Sequence, residues 1–357
     1  MIASRIVVFS VFAMATIGYA QTRDADFAKL ADAYFNDVLF HYDPAQGTSA
    51  GFHQYDTQMP TFSRVEIQEE IAALRKYESL AQNFDPRGLS PSATADRELV
   101  LAQIRGQLLA METIRGWEKN PDNYSSYATN AIFVIMSRTF APPAERLQSV
   151  MARERQIARL FQSARENLNN PPKIFTDIAI EQLSGIVSFF QSDVPTAFKA
   201  VTDRQLLAQF KTTNDAVIAA AKDYQNYLKT DVLPRSKGDF RIGADVYSKK
   251  LLYDEMVATP LDKLLEIGYA NLRQNQASFK QVAAKIDPKR TPQQILEELE
   301  HDHPAPDKLL DTFRGTLTGL RDYIEQRHIM TIPSQTLPIL EETPPFMSAT
   351  TTASMDT

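Results

Sequence analysis

Cysteine is absent from the 357 residues. That removes disulfides, thiolate catalysis, cysteine metal sites and any cysteine-linked lipid anchor, so stability has to come from a packed core. Histidine is scarce: His41, His53, His301, His303 and His328 are all there are. None of them is followed by glutamate and no two are four apart, which excludes the His-Glu-x-x-His arrangement that aims two imidazoles and a water-activating carboxylate at one zinc ion. No Gly-x-Ser-x-Gly elbow, phosphate-binding loop or dinucleotide glycine fingerprint occurs. Glycine is low at 12 residues. Lysine and arginine form no cluster and the net charge is −6, falling to −7 without Arg5. Nucleic acid and anionic membrane are therefore poor partners. Beyond the first twenty residues no apolar run approaches the roughly 20 residues that cross a bilayer.

What is present begins with a leader. Arg5 supplies a positive start, Ile6–Ile17 is a nearly unbroken apolar run, and Gly18-Tyr19-Ala20 places small residues at −3 and −1 of a cleavage site before Gln21. An uncleaved anchor or a buried N-terminal helix is the alternative. Residues 1–20 are thus expected to be a signal peptide, with the protein periplasmic or extracellular. Removing 20 of 357 residues leaves 337, enough for one large helical domain or two smaller ones.

The body reads as mainly α, a multi-helix bundle-like domain over 21–329. Prolines fall at seams between segments of 3.6-residue periodicity. Ser63-Arg64-Val65-Glu66 has the form of a capping box, and Ser90-Pro91, Thr259-Pro260-Leu261-Asp262 and Thr291-Pro292-Gln293-Gln294 combine a cap hydroxyl with proline at the first helical position. Helices are expected near 24–40, 62–83, 92–117, 143–168, 173–191, 195–210, 212–232, 246–257, 260–286, 292–301 and 306–329. In the fourth, Leu147, Val150, Met151, Ile157, Leu160 and Phe161 share one face, with Arg153, Glu154, Arg159 and Glu166 mainly on the other. Residues 330–357 change character. Pro333 and Pro338 forbid a helix, and the threonines of Phe346–Met355 favour strand, so an incomplete β-hairpin or edge-strand pair is expected, with the chain stopping inside it.

Candidate chemistry is thin. His301-Asp302-His303 supplies two metal donors, but at the solvated end of a helix, where cationic histidine suits the dipole; zinc takes three or four. His41 and His328 also sit at helix ends, and His53 reads as a hydrogen-bonded structural histidine. Glu297, Glu298, Glu300 and Asp302 form an acidic face without a calcium-loop pattern. Glu341-Glu342 lie in a proline-rich kink that could line a cleft. Trp117-Glu118-Lys119-Asn120-Pro121 before Tyr124 reads as a helix exit packing on the next loop. No catalytic, cofactor-binding or metal residue is assigned from these patterns.

Gly47-Thr48-Ser49-Ala50-Gly51-Phe52-His53-Gln54-Tyr55-Asp56 resembles the N-terminal signature of the bacterial domain-of-unknown-function 885 proteins, as does Trp117-Glu118-Lys119-Asn120-Pro121-Asp122-Asn123-Tyr124. Gly243–Leu252, the Thr259-Pro260 and Thr291-Pro292 starts and Glu342-Thr343-Pro344-Pro345-Phe346 follow in the family's order. The resemblance implies a mostly helical, often exported, zinc metallopeptidase-like protein, similar in fold to the carboxypeptidase Taq and angiotensin-converting-enzyme type. The family's His-Glu-x-x-Pro-Gly-His-His helix and later Glu-Gly-Trp segment have no counterpart here, so no site residue carries over. Zinc and a peptide substrate are implied for the full-length family only. The expectation is an N-terminal helical scaffold, truncated before the zinc-binding helix and forming one wall of a substrate cleft without activity of its own. The alternative is a periplasmic helical binding or interaction module.

Overall fold

The computed structural model describes residues 23–334, 336–343 and 345–347. The expected leader at 1–20 lies outside them. The protein is mainly helical, 75% helix. Contacts divide it into two units, one running to residue 258 and regaining the chain at 345, the other spanning 259–343 among the described residues.

The first unit is built from α1 (residues 23–34), α2 (Pro44–Ser49), α3 (Arg64–Asn83), α4 (Pro91–Leu108), α5 (Asp122–Ser137), α6 (Pro143–Asn167), α7 (Lys173–Ser188), α8 (Arg204–Tyr227) and α9 (Ala244–Asp254). Helix α6 is its axis, packed by α5 and α8, while α7 packs against both of those. Leu147, Val150, Ile157, Leu160 and Ala164 of α6 are fully buried, as the apolar stripe demands. Phe161 stacks on Tyr224 of α8 with ring centroids 4.6 Å apart. A second apolar cluster joins α1, α3 and α4 through Phe27, Tyr34, Leu74, Tyr77 and Ile104. Four π-helical turns, Phe35–Leu39, Leu109–Ile114, Phe189–Asp193 and Leu228–Val232, prolong α1, α4, α7 and α8.

Three expectations are corrected here. The region 118–142 carries a helix, α5, at the centre of the core, with Ala128, Ala131, Ile132 and Ile135 buried. Its run Ala131-Ile132-Phe133-Val134-Ile135-Met136 is continuously apolar and hides the helical period, and its N-cap, Pro121, makes no side-chain cap bond. Arg153 and Glu154 do not face solvent: they are 0% and 3% exposed, because α6 has neighbours on more than one side. The break expected near 210–212 does not occur, and α8 runs unbroken from Arg204, where Asp203 Oδ1 accepts from Gln205 N and Leu206 N.

The second unit holds α10 (Leu261–Ile286), α11 (Pro292–Leu299) and α12 (Leu309–Gln326). Thr291 and Gln294 form the full reciprocal capping box at the start of α11. The expected β-hairpin is not found: residues 331–343 form no strand among those described, since Pro333 and Pro338 remove ladder donors. Further along, Pro345–Met347 is a 3-10 turn in the first unit, and its Phe346 is buried against Phe133 and Phe189. Apolar burial of Phe346, with Met347 packed beside it on the same core, holds the segment in place of strand pairing. The rest of the expected second strand lies outside the described residues.

Candidate functional site

Two adjoining features of the first unit hold its unusual chemistry. The first is an acidic corner where α1 ends. The chain leaves the π-turn at Leu39, passes Tyr42 and enters α2 through Asp43. Asp43 Oδ1 caps α2 by accepting from Gln46 N at 3.1 Å, and accepts from Tyr127 Oη of α5 at 3.0 Å. Desolvation nonetheless leaves the Asp43 carboxyl above the ordinary aspartate value, outweighing those bonds. Glu66 Oε2 takes two backbone N–H groups, Thr61 and Phe62, both at 2.6 Å, and the Thr61 hydroxyl at 2.7 Å. Those bonds hold Phe62 at φ +49°, a left-handed value disfavoured for an aromatic residue. Glu66 is therefore turned away from the Ser63 backbone, so only half of the expected capping box forms, with Ser63 Oγ accepting from Glu66 N at 3.2 Å.

Glu70 is the outlier of the corner. Burial raises its pKa from 4.5 to about 7, and the like charges of Glu66 and Asp43 add to this. Its side chain keeps some contact with solvent. Tyr34 and Tyr42 are raised too, burial first and Glu70 contributing to each. A partly exposed carboxyl titrating near neutrality can take and return a proton, and the surrounding negative potential favours cationic groups.

The second feature is a groove of about 960 Å³ between α1, α4 and α9. Its lining mixes small residues such as Ala31, Ala93, Ala102 and Gly106 with larger apolar ones, Phe27 and Val100 buried and Phe35 and Leu99 more open. Gly106 lets α9 come close: a Cβ there would lie 2.8 Å from Asp254 Oδ1, so the Asp254 side chain would have to shift. The π-turn Leu109–Ile114 closes one end. Asp24, Asp32, Asp96 and Asp254 stand on the lining with a single cation, Lys250, which pairs with Asp254. The volume is that of a pocket for a small ligand or a few residues of peptide.

The histidines lie elsewhere. His41 is exposed beside Tyr42. His53 stacks on Phe140 at 3.8 Å, with Nδ1 3.1 Å from Asp56 Oδ2. His301, His303 and His328 are exposed in the second unit, where the His303 ring meets the Pro304 carbonyl. Glu297, Glu298, Glu300 and Asp302 are exposed, Glu298 pairing with Arg290, and Glu341 and Glu342 are exposed as well. Trp117 Nε1 donates to the Met111 carbonyl at 2.9 Å and the Tyr124 hydroxyl donates to the Trp117 carbonyl, so this motif is a packed helix exit. Among the described residues no three His, Asp or Glu side chains come together in a way that could hold a metal ion. The His-Glu-x-x-Pro-Gly-His-His run that the family resemblance implies has no counterpart in this sequence. Sequence reading missed Asp43, Glu66 and Glu70; the Asp43-Pro44 start of α2 and the Glu66/Glu70 spacing of four were the available signals.

A mainly helical protein with an acidic corner beside an apolar groove is the class that fold and site define. Residues 44–357 match a family described as bacterial protein of unknown function (DUF885). The chain belongs to that family. Among solved structures it is similar to a protein of unknown function from Shewanella oneidensis, provisionally described as a lipoprotein, with 22% identity and a TM-score of 0.69. The match covers 89% of this chain and 60% of that one, so this chain spans about three fifths of the relative's length. No curated protein matches. Among the described residues no helix is long and apolar enough to cross a membrane.

Proposed function

We propose that this chain is the helical, peptide-binding framework of an exported metallopeptidase-like protein of the DUF885 family, and that it holds a polypeptide without cleaving it by itself. The observation that carries the reading is the groove between α1, α4 and α9. Its small lining residues admit a main chain at close range, its larger apolar residues take side chains, and its carboxylates select against acidic peptides. The leader pattern at 1–20 and the lipoprotein description of the Shewanella relative support export. In this reading the hydrolytic centre implied by the family resemblance is supplied by residues that this chain does not contain.

The test is fluorescence anisotropy of labelled short peptides, apolar with one or two lysines, titrated with the purified chain. Saturable binding with no cleavage products by mass spectrometry is expected, and Ala102→Trp, which puts an indole on the lining, should abolish it. Absence of saturable binding up to millimolar protein sinks the framework reading. Chelator-sensitive cleavage sinks the statement that the chain does not act alone.

The alternative, a periplasmic binding module without any enzymatic association, is favoured by the two apolar clusters of the first unit, which give it a core of its own. Detection in its source cells of a stable complex with a zinc-binding polypeptide would decide against it.

A further inference from the structure

Helix α10 is 26 residues long and buries only Ala283. At 1.5 Å per residue it extends about 39 Å. Leu261, Leu265, Leu272, Phe279, Val282 and Ile286 fall on alternating steps of four and three, the 3.5-residue period of a coiled-coil seam, with Gly268 and Asn275 at the two remaining positions. That seam is open: Leu265, Leu272, Phe279, Val282 and Ile286 are between 46% and 59% exposed. One seam position is Gly268, and a Cβ there would meet nothing within 4 Å. Glycine inside a helix costs about 1 kcal/mol relative to alanine. Nothing nearby in the fold requires it.

We propose that α10 pairs antiparallel with α10 of a second copy of this chain, about a two-fold axis that crosses the helix between Arg273 and Gln274. In that register Leu261 faces Ile286 of the other copy, Leu265 faces Val282, Gly268 faces Phe279, and Leu272 faces Asn275. The position with no side chain receives the bulkiest one, and each pairing occurs twice, as an isologous interface requires. Parallel pairing sets glycine against glycine and phenylalanine against phenylalanine, a void and a clash one above the other.

Charge selects the same orientation. Residues 261–272 carry Asp262, Lys263 and Glu266, a net of −1, whereas 273–286 carry Arg273, Lys280 and Lys285, a net of +3. Antiparallel packing sets the acidic half against the basic half at both ends, and parallel packing sets +3 against +3.

Sedimentation equilibrium of the full chain tests the association and engineered cysteines test its direction, on a background free of native cysteine. A reversible dimer is expected at micromolar concentration, and Leu272→Asp, a change at an exposed position, should raise its dissociation constant by at least about tenfold. Mixed oxidation of a Leu265→Cys chain with a Val282→Cys chain should give the hetero-linked dimer in preference to either homo-linked one. A chain that stays monomeric at 100-fold higher concentration, about the high-micromolar range of weak self-association, overturns the proposal. So does a dimer indifferent to Leu272→Asp, or a preference for the Leu265→Cys homodimer, which reports parallel pairing. Circular dichroism confirms that each variant keeps its helix content.

Discussion

Arg153 and Thr48 meet inside the first unit across 105 residues of sequence, Arg153 Nη2 donating to Thr48 Oγ1 at 2.7 Å. The same hydroxyl donates to Asp56 Oδ1 at 2.8 Å, so one oxygen relays a buried cation to a buried carboxylate. The rest of the guanidinium is spent on carbonyls: Gln58 at 3.1 Å, Tyr55 at 3.1 Å, Pro44 at 3.3 Å and Ala131. Burial pulls its pKa below the ordinary arginine value, though it stays charged at neutral pH. The side chain thereby pins the segment 44–58, carrying Asp43 at its edge, onto α5 and α6. That is how the acidic corner gets a fixed wall.

Replacing Arg153 by Met should therefore destabilise the protein by about 3–5 kcal/mol, since four carbonyls and a hydroxyl lose their donor in a site that water cannot refill. Arg153→Lys should cost a large part of the same amount, because an ammonium cannot span the fork's acceptors. Thr48→Val, which removes only the relay, should cost about 1–3 kcal/mol. Urea titrations followed by the fluorescence of Trp117, the only tryptophan, measure all three.

Glu154 neighbours Arg153 in sequence and behaves in the opposite way. It is 3% exposed, its Oε2 accepts from the Thr213 hydroxyl, and its Oε1 has no partner. Burial raises its pKa from 4.5 to about 8. Below pH 4.5 folded and unfolded chains both hold the proton. Between 4.5 and 8 unfolding releases it, so stability drops as pH rises across that window, by an amount of order a few kcal/mol, and the loss levels off above 8. Glu154→Gln keeps the acceptor for Thr213 and has no charge to desolvate. The variant should lose that decline, with its largest gain over the parent at pH 8 and none at pH 4; thermal melts at both pH values check it.

Much of the fold is legible in the residues because its signals are local. Ser90 and Thr291 cap α4 and α11 as their spacing with Pro91 and Gln294 indicates. Thr259 does not cap α10, whose N-cap is Pro260. What escapes is set by tertiary neighbours. α5 has an apolar run without a readable period, and the polarity of Arg153 and Glu154 points outward on a wheel while α5 and α8 enclose them. Phe346 looks like part of a β-prone tail until Phe133 and Phe189 are brought near it. The acidic corner is illegible for the same reason: Asp43 and Glu70 are 27 residues apart in sequence, and only the packing of α3 beside the end of α1 brings the Asp43 charge to bear on Glu70.

Glu70 should be visible as a titration near neutrality. Carbon-13 NMR of side-chain-labelled glutamates is expected to show one carboxyl with an apparent pKa of about 7. Glu66→Gln removes one like charge and should lower that value, while leaving it above 4.5 because burial is the larger cause. A Glu70 carboxyl that titrates with the surface glutamates in the parent protein would remove the case for proton exchange at this corner.

Phe346 tests whether the turn at 345–347 is held by its ring. The side chain is 3% exposed and stands edge-on to Phe189 at 5.0 Å and Phe133 at 5.7 Å between centroids. These are favourable edge-to-face arrangements, and α5 and the π-turn that prolongs α7 supply one ring each, so the turn contributes a residue to the main core of the first unit. Truncation to alanine removes most of a buried aromatic and leaves a cavity that two helices fixed by α6 cannot collapse, at a cost of about 3–5 kcal/mol. Phe346→Leu keeps most of the volume and should cost less than half of that. Met347 packs on the same core, so Phe346→Ala should loosen the turn's backbone rather than release it. Hydrogen exchange at Met347 should then rise by a larger factor than exchange in α6, whereas a core that merely loses stability would raise both together.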